Sequence, residues 1–261
     1  MAKARRWPAG AAAAVEISED DGVRLLHIGG DAIQSAIRLA SPEALELDYT
    51  RAMMAFLLFH PQPAHIAMVG LGGGSIARFV HRRMAASRIT VVEIRADVVE
   101  AARRFFGLPA DDERLAVVAD DGAAWVPRHP GCADVLLLDA FEDGKQVPTL
   151  CREAFYAAAR AALRPGGILV ANFIADDRKL DTWLERIARS FGGRMVKVGA
   201  ADRVNIVALA FRDGPARVAW RELKARARAL EACHALPFAR LVASLKALNA
   251  HTMHHLLVAS G

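Results

Sequence analysis

The sequence predicts an α/β fold built on a largely parallel sheet with helices on both faces. Short, continuously apolar runs recur through the middle of the chain, stretches of helical periodicity separate them, and Gly or Pro clusters punctuate the joins. A strand that is apolar along its whole length is buried on both faces. Alternating strands and helices produce that burial by stacking helices above and below the sheet.

The elements follow in order. Apolar runs at 23–28 and 32–34 flank Gly29-Gly30-Asp31, which predicts two strands joined at that turn. Leu47, Met54, Leu57 and Leu58 recur at helical spacing after Ser41-Pro42, predicting a helix over 49–59 that Pro61 and Pro63 close. Residues 1–60 are thus expected to form a small β cap with a linking helix. Residues 61–212 carry the alternation, with strands at 66–69, 89–94, 115–118, 135–138, 168–170 and 204–211 and helices at 76–84, 96–106, 155–163 and 181–191. Arg164-Pro165-Gly166-Gly167 reads as the turn that ends helix 155–163. From Pro215 the pattern turns helical, so 213–261 is expected to be a helical tail. Met53 and Met54 are expected in the core, and Trp183, Trp220 and Phe238 in the core or at an interface rather than in a nucleoside cage.

Composition narrows the function classes. The 261 residues are 54% hydrophobic and 24% charged, the balance of a folded domain rather than a disordered chain. The net charge of +5 comes from scattered arginines such as Arg82, Arg83, Arg103 and Arg104, which read as solvated helix faces. No basic tract with interleaved aromatics is present, so no nucleic-acid partner is expected. Cys132, Cys151 and Cys233 form no Cys-x-x-Cys pair and are expected as buried, reduced thiols. Lys3-Ala4-Arg5-Arg6 before Ala11 to Ala14 imitates a leader, but Glu16, Glu19, Asp20 and Asp21 follow at once. No run approaches the ~20 apolar residues that span a bilayer. The expectation is a cytoplasmic protein with no membrane partner. His251, His254 and His255 are expected on a surface helix rather than in a metal site, and no metal is expected.

Chemistry concentrates at strand ends. Gly70-Leu71-Gly72-Gly73-Gly74-Ser75 follows the first strand of the alternating region and opens a helix, where glycines admit a ligand to the backbone and the helix terminus presents free N–H groups. Glu93 closes the next strand, about 20 residues on, where such folds place an acid for the ribose hydroxyls of a nucleotide. Asp120-Asp121-Gly122 and Asp139-Ala140-Phe141-Glu142-Asp143 end the following two strands. Any one of these acids could be a helix N-cap or a loop residue. Standing at successive carboxyl ends of one sheet, Glu93, Asp121, Asp139 and Glu142 should line a common crevice.

With these residues the chain resembles the spermidine synthase family, in its divergent spermidine synthase-like branch. The resemblance rests on Gly30-Asp31-Ala32-Ile33-Gln34-Ser35, Tyr49-Thr50-Arg51-Ala52-Met53, Gly72-Gly73-Gly74, Val92-Glu93-Ile94, Asp121-Gly122, Phe155-Tyr156 and Leu163-Arg164-Pro165-Gly166-Gly167-Ile168-Leu169, over about residues 23–211. It implies a seven-stranded, Rossmann-like core of the methyltransferase type with an N-terminal β cap, a homodimer, and decarboxylated S-adenosylmethionine as co-substrate. It assigns Gln34 and the Gly72, Gly73 and Gly74 loop to the thioether and chain end of that ligand, Glu93 to the ribose, Asp121 to the adenine amino group, and Tyr49 to the wall of the amine pocket; Gly70 and Ser75, which bound the loop, are expected among the cofactor-binding residues. Asp139 and Glu142 are the implied catalytic acids. Two positions depart from the family. Ser75 stands where the family has the acid of Gly-Gly-Gly-Asp, and Asp139-Ala140-Phe141-Glu142-Asp143 replaces Asp-Ser-Ser-Asp-Pro.

The expected reaction is transfer of an aminopropyl group to a small-molecule amine. Two rival readings use the same scaffold: an S-adenosylmethionine-dependent methyltransferase, prompted by Ser75, and a nucleoside-binding protein without catalysis. A nicotinamide-linked dehydrogenase fits less well, because Ser75 breaks Gly-x-Gly-x-x-Gly counted from Gly70.

Overall fold

An antiparallel sheet opens the chain: β1 (Arg5–Arg6), β2 (Val15–Asp20), β3 (Val23–Ile28) and β4 (Ile33–Arg38) lie side by side in that order. The computed structural model describes residues 5–6, 14–30, 32–142 and 144–259. Asp31, Asp143 and most of the leader-like stretch lie outside the described residues. β3 and β4 were legible in sequence, whereas β2 was not, because Glu16, Glu19 and Asp20 obscure its period of two. Val15 and Ile17 nevertheless alternate inward, and Asp21-Gly22 turns β2 into β3 with φ of 44° and 72°, the geometry an Asp-Gly hairpin favours.

The predicted linking helix is split. α1 (Asp48–Met53) tightens into a 3₁₀ segment, Met54–Leu58, whose five residues are all buried. Its last carbonyl, on Leu58, accepts from Arg226 Nη1 at 2.8 Å, so a distant side chain takes up an acceptor left at the segment's end.

The alternation then runs β5 (His65–Val69), α2 (Ser75–Arg83), β6 (Arg88–Glu93), α3 (Ala96–Phe105), β7 (Leu115–Ala119), α4 (Gly122–Arg128) and β8 (Ala133–Leu138). A short hairpin of β9 (Phe141–Glu142) and β10 (Lys145–Gln146) leads to α5 (Glu153–Ala162), β11 (Leu163–Ile174), α6 (Leu180–Ser190), β12 (Met195–Gly199) and β13 (Asn205–Phe211). Seven strands form one sheet in the order β12-β13-β11-β8-β5-β6-β7, and β13 runs antiparallel to both of its neighbours. The fold class matches the expectation. β12 and α4 are additions to it, and Arg164-Pro165-Gly166-Gly167 proves to be a bulge within β11, across which the register on β8 jumps from Leu163↔Ala133 to Ile168↔Val135.

Alternation along β5 shows how the layers form. Ile66 and Met68 face one core with Ile76, Phe79, Val98 and Phe56, while Ala67 and Val69 face another with Trp125, Tyr156, Phe173 and Trp183. The cap joins the first of these layers, where Arg24 donates to the carbonyl of Phe105 at the end of α3.

The tail is less helical than expected. β14 (Arg217–Ala219) precedes α7 (Trp220–His234) and α8 (Phe238–Leu248), and β15 (His255–Leu257) returns to pair with β14. The histidine cluster therefore lies on a turn and strand, not a helix. Thr252 Oγ1 accepts the backbone N–H of both His254 and His255, at 3.3 and 3.0 Å, an alternative to helical bonding that a threonine readily offers. Met53, Met54, Trp183, Trp220 and Phe238 are buried as expected. Arg82, Arg83, Arg103 and Arg104 are exposed and salt-bridged to nearby acids. Of the cysteines only Cys151 is buried; Cys132 is partly covered and Cys233 is exposed near the end of α7. Among the described residues no helix is long and apolar enough to cross a membrane.

Candidate active site

Strand ends β5, β6, β7 and β8 stop at the same rim of the sheet because hydrogen bonds hold them level: Gly70 N donates to Val92 O and Asp139 N to Val69 O, at 2.9 and 3.0 Å. Between this rim and the cap lies a cavity of about 530 Å³. Gln34, Tyr49, Gly70, Gly72, Ser75, Glu93, Asp121, Asp139 and Glu142 all line it. The structure thus brings together nine of the eleven residues singled out in the sequence. Gly73 and Gly74 are not among the lining residues. A Cβ on Gly73 would lie 2.7 Å from Ser35 Oγ and 2.9 Å from Phe106 Cδ1, and one on Gly74 would lie 2.9 Å from Leu108 Cδ1. Packing beneath the cap and against the segment after α3 thus leaves no free room for a side chain at either glycine.

Gly70 serves differently. Its φ is 90°, and a Cβ there would strike the carbonyl oxygen of Asp139, so the turn after β5 passes the end of β8 with no room for a side chain. Ser75 opens α2 and lines the cavity, but β4 engages its hydroxyl: Oγ lies 3.2 Å from Ser35 Oγ and donates to Ala36 O at 3.3 Å.

Each acid is held by its own local structure. Glu93 is buried at 8% exposure, and its two carboxylate oxygens accept from Leu71 N and Arg95 N, both at 2.9 Å. Burial pushes its carboxyl above the ordinary carboxylate range, and those N–H groups oppose the rise. Asp121 is the N-cap of α4, accepting from Ala123 N at 2.8 Å, so it caps a helix and faces the cavity at once. Asp139 Oδ1 accepts from Asn172 Nδ2 at 2.9 Å, and the Tyr49 hydroxyl stands close to the carboxylate with one proton to give, either to Asp139 or to Gln34 O 3.2 Å away. Burial raises the Asp139 carboxyl to about 6, against the pull of Asn172 and Tyr49. Glu142 is exposed on β9 at the cavity mouth.

Sequence reasoning missed two groups of residues. Ile94, 68% exposed, and Arg95 follow Glu93 directly and line the cavity, and Arg95 pairs with Asp97 at 2.5 Å. Asn172 and Asn205 stand behind Asp139; their signal was an amide interrupting an apolar strand near its end. Among the described residues no three His, Cys, Asp or Glu side chains converge as metal ligands. The cavity offers, among the described residues, four carboxylates and one cation, Arg95, which is already paired with Asp97. Such a surface suits a cationic ligand.

Residues 46–179 match the Spermine/spermidine synthase domain. Relatives named polyamine aminopropyltransferase extend that match to almost the whole chain. The one from Chromobacterium violaceum is 38% identical over 244 residues, covering 94% of each chain, and the one from Neisseria meningitidis serogroup B is 36% identical over 242 residues, covering 92% of each.

The chain belongs to the spermine/spermidine synthase family.

Solved structures agree on the fold. A probable spermidine synthase from Corynebacterium glutamicum superposes with a TM-score of 0.72 at 24% identity, over 87% of this chain and 86% of that one. Human methyltransferase-like protein 13 in complex with SAH superposes at 0.66 with 26% identity, over 72% of this chain and 92% of that one. A probable spermidine synthase and a methyltransferase thus share the overall fold seen here, and the cavity lies where open α/β sheets place their ligands.

Proposed function

We propose that this protein is a polyamine aminopropyltransferase, moving the aminopropyl group of decarboxylated S-adenosylmethionine to an amine. The observation that carries the reading, beside family membership, is the ring of Glu93, Asp121, Asp139 and Glu142 around one cavity, since both the sulfonium donor and the amine acceptor are cations in water. Glu93 accepts from the ribose hydroxyls, with its oxygens preset by Leu71 N and Arg95 N. Asp121 receives the adenine amino group, and Ile94 covers the base. Gln34, Gly70, Gly72 and Ser75 flank the thioether and chain end, with Gly73 and Gly74 keeping that loop tight. Tyr49 walls the amine pocket.

In the reaction the amine nitrogen attacks the carbon beside the sulfonium. The new C–N bond forms as the C–S bond breaks, its electron pair passes to sulfur, and methylthioadenosine leaves. Because the acceptor is an ammonium in water, it first yields one proton to free the attacking lone pair, and Asp139 takes that proton; the product nitrogen stays protonated. A carboxyl raised to about 6 is mostly ionised at neutral pH yet more basic than an exposed one, which suits a general base. Glu142, at the mouth, attracts and orients the acceptor. The reading includes a homodimer in the reducing cytoplasm, so light scattering should return the mass of two chains.

Incubation with decarboxylated S-adenosylmethionine and putrescine, spermidine or cadaverine, read by mass spectrometry, tests the activity. The expected product is one amine lengthened by an aminopropyl group, together with methylthioadenosine. Methyl transfer from S-adenosylmethionine with no aminopropyl product would refute it.

A further inference from the structure

Asn172 and Asn205 are 3% and 6% exposed, and two amides so deeply buried are costly unless their polar atoms find partners. They sit on β11 and β13, where Asn205 pairs with Ile174, two residues along from Asn172, so both side chains leave the same face of the sheet. Asn205 Nδ2 donates to Asn172 Oδ1 at 3.0 Å, and Asn172 Nδ2 donates to Asp139 Oδ1 at 2.9 Å. The bonds have a direction. With its oxygen committed to Asn205, Asn172 must present its NH₂ to the carboxylate; the flipped amide would set oxygen against oxygen. The backbone carbonyl of Asn172 also accepts from Gln146 Nε2 at 2.7 Å, which fastens the hairpin that carries Glu142.

We propose that Asn172 and Asn205 are positioning residues for the transfer reaction: Asn205 fixes the amide of Asn172, and Asn172 holds one oxygen of Asp139 so that the other faces the amine. This rests on the reading of Asp139 as the base. The relay uses strand β13, the reversed strand of the sheet, to orient a group two strands away. Among the described residues the other titratable groups around the cavity are Tyr49 from α1, Glu142 from β9, Glu93 at the end of β6 with Arg95 just after it, and Asp121 before α4; the Tyr49 hydroxyl stands beside Asp139. β11 meets Asp139 with the neutral Asn172 and β5 with its glycine turn.

The test follows the Asp139 carboxyl by ¹³C NMR through a pH titration, its signal assigned by loss in Asp139→Asn, alongside kcat as a function of pH. Asn172→Ala removes a donor that favours the ionised form, so the midpoint should rise by about one pH unit. Asn205→Ala touches nothing on Asp139 and should raise it by a smaller amount. In both, kcat falls at pH 7 and recovers towards the wild-type value at higher pH, while KM for the nucleoside stays within about twofold, because Asn172 and Asn205 lie behind the carboxylate. If Asn205→Ala does not fold, Asn205→Asp keeps the shape, repels Asn172 Oδ1 and should give the larger rise. Midpoints and kcat profiles of the Asn205 variants that coincide with wild type, while Asp139→Asn abolishes turnover, would overturn the relay alone. Full turnover in Asp139→Asn would instead remove the base, and the relay with it.

Discussion

At the scale of single residues, Asp139 makes activity and stability oppose each other. Its folded value of about 6 lies above the ordinary 3.8, so between those limits the folded protein binds the extra proton. Stability from this group is therefore greatest in acid and declines as pH rises through about 6. Asparagine at this position is never charged. Asp139→Asn should melt above wild type at pH 7.5, by about 1–3 kcal/mol in free energy, with the gap closing near pH 4. The same variant should lose most of its turnover while binding methylthioadenosine within a few-fold of wild type by calorimetry; an equal loss of both would show that Asp139 holds the nucleoside instead. Glu93 behaves differently, because its carboxylate is already organised by two backbone N–H groups. Glu93→Gln keeps the shape but not the charge-assisted bonds, and should weaken nucleoside binding by roughly 10- to 100-fold with little change in kcat at saturation.

At the scale of elements, the turn after β5 is where ligand and fold make the same demand. Gly70→Ala needs an uncommon φ and forces a methyl into the carbonyl of Asp139, so the ends of β5 and β8 must part. The expected outcome is a loss of several kcal/mol in a urea melt, together with loss of nucleoside binding. Much at this level was legible in the sequence: the strands buried on both faces are runs such as Val135-Leu136-Leu137-Leu138, and the acids that end them mark the rim. Elements with mixed composition were not. β2 hides its alternation among acids, and β12, with Lys197 between Val196 and Val198, offers only two buried apolar residues. The site was legible where a residue type has few uses at a strand end, as with Glu93. It was illegible where meaning depends on a partner distant in sequence. Nothing local tells that Asn205 meets Asn172, or that Ser75, whose position invited a reading about the ligand, gives its hydroxyl to β4.

At the scale of the whole molecule, the tail completes a core that the alternating region leaves open. Leu223, Phe238 and Leu245 are fully buried and join the same cluster as Met54, Phe56 and Leu57. Arg226 reaches the carbonyl of Leu58, and Ser244 and Asn249 bond the backbone of β12. A chain ending at residue 212 should therefore show no cooperative thermal transition by circular dichroism, since it exposes several large apolar side chains at roughly 1.5–3 kcal/mol each. The cap poses the converse case. Ile28, Gln34 and Ser35 of the small sheet share the cavity wall with Glu93 and Asp139 of the large one, and the Tyr49 hydroxyl lies between Gln34 O and the Asp139 carboxylate. Any ligand that fills the cavity is thus a mortar between two sheets, and opening the cap requires its release. At a ligand concentration 100 times Kd, amide deuterium exchange through cap opening should slow about 100-fold in β3 and β4. Exchange at the inner strands β5 and β8, limited by global unfolding, would slow by a similar factor because that opening releases the ligand too, so the rim of the molecule would keep time with its centre for the occupancy of the cavity.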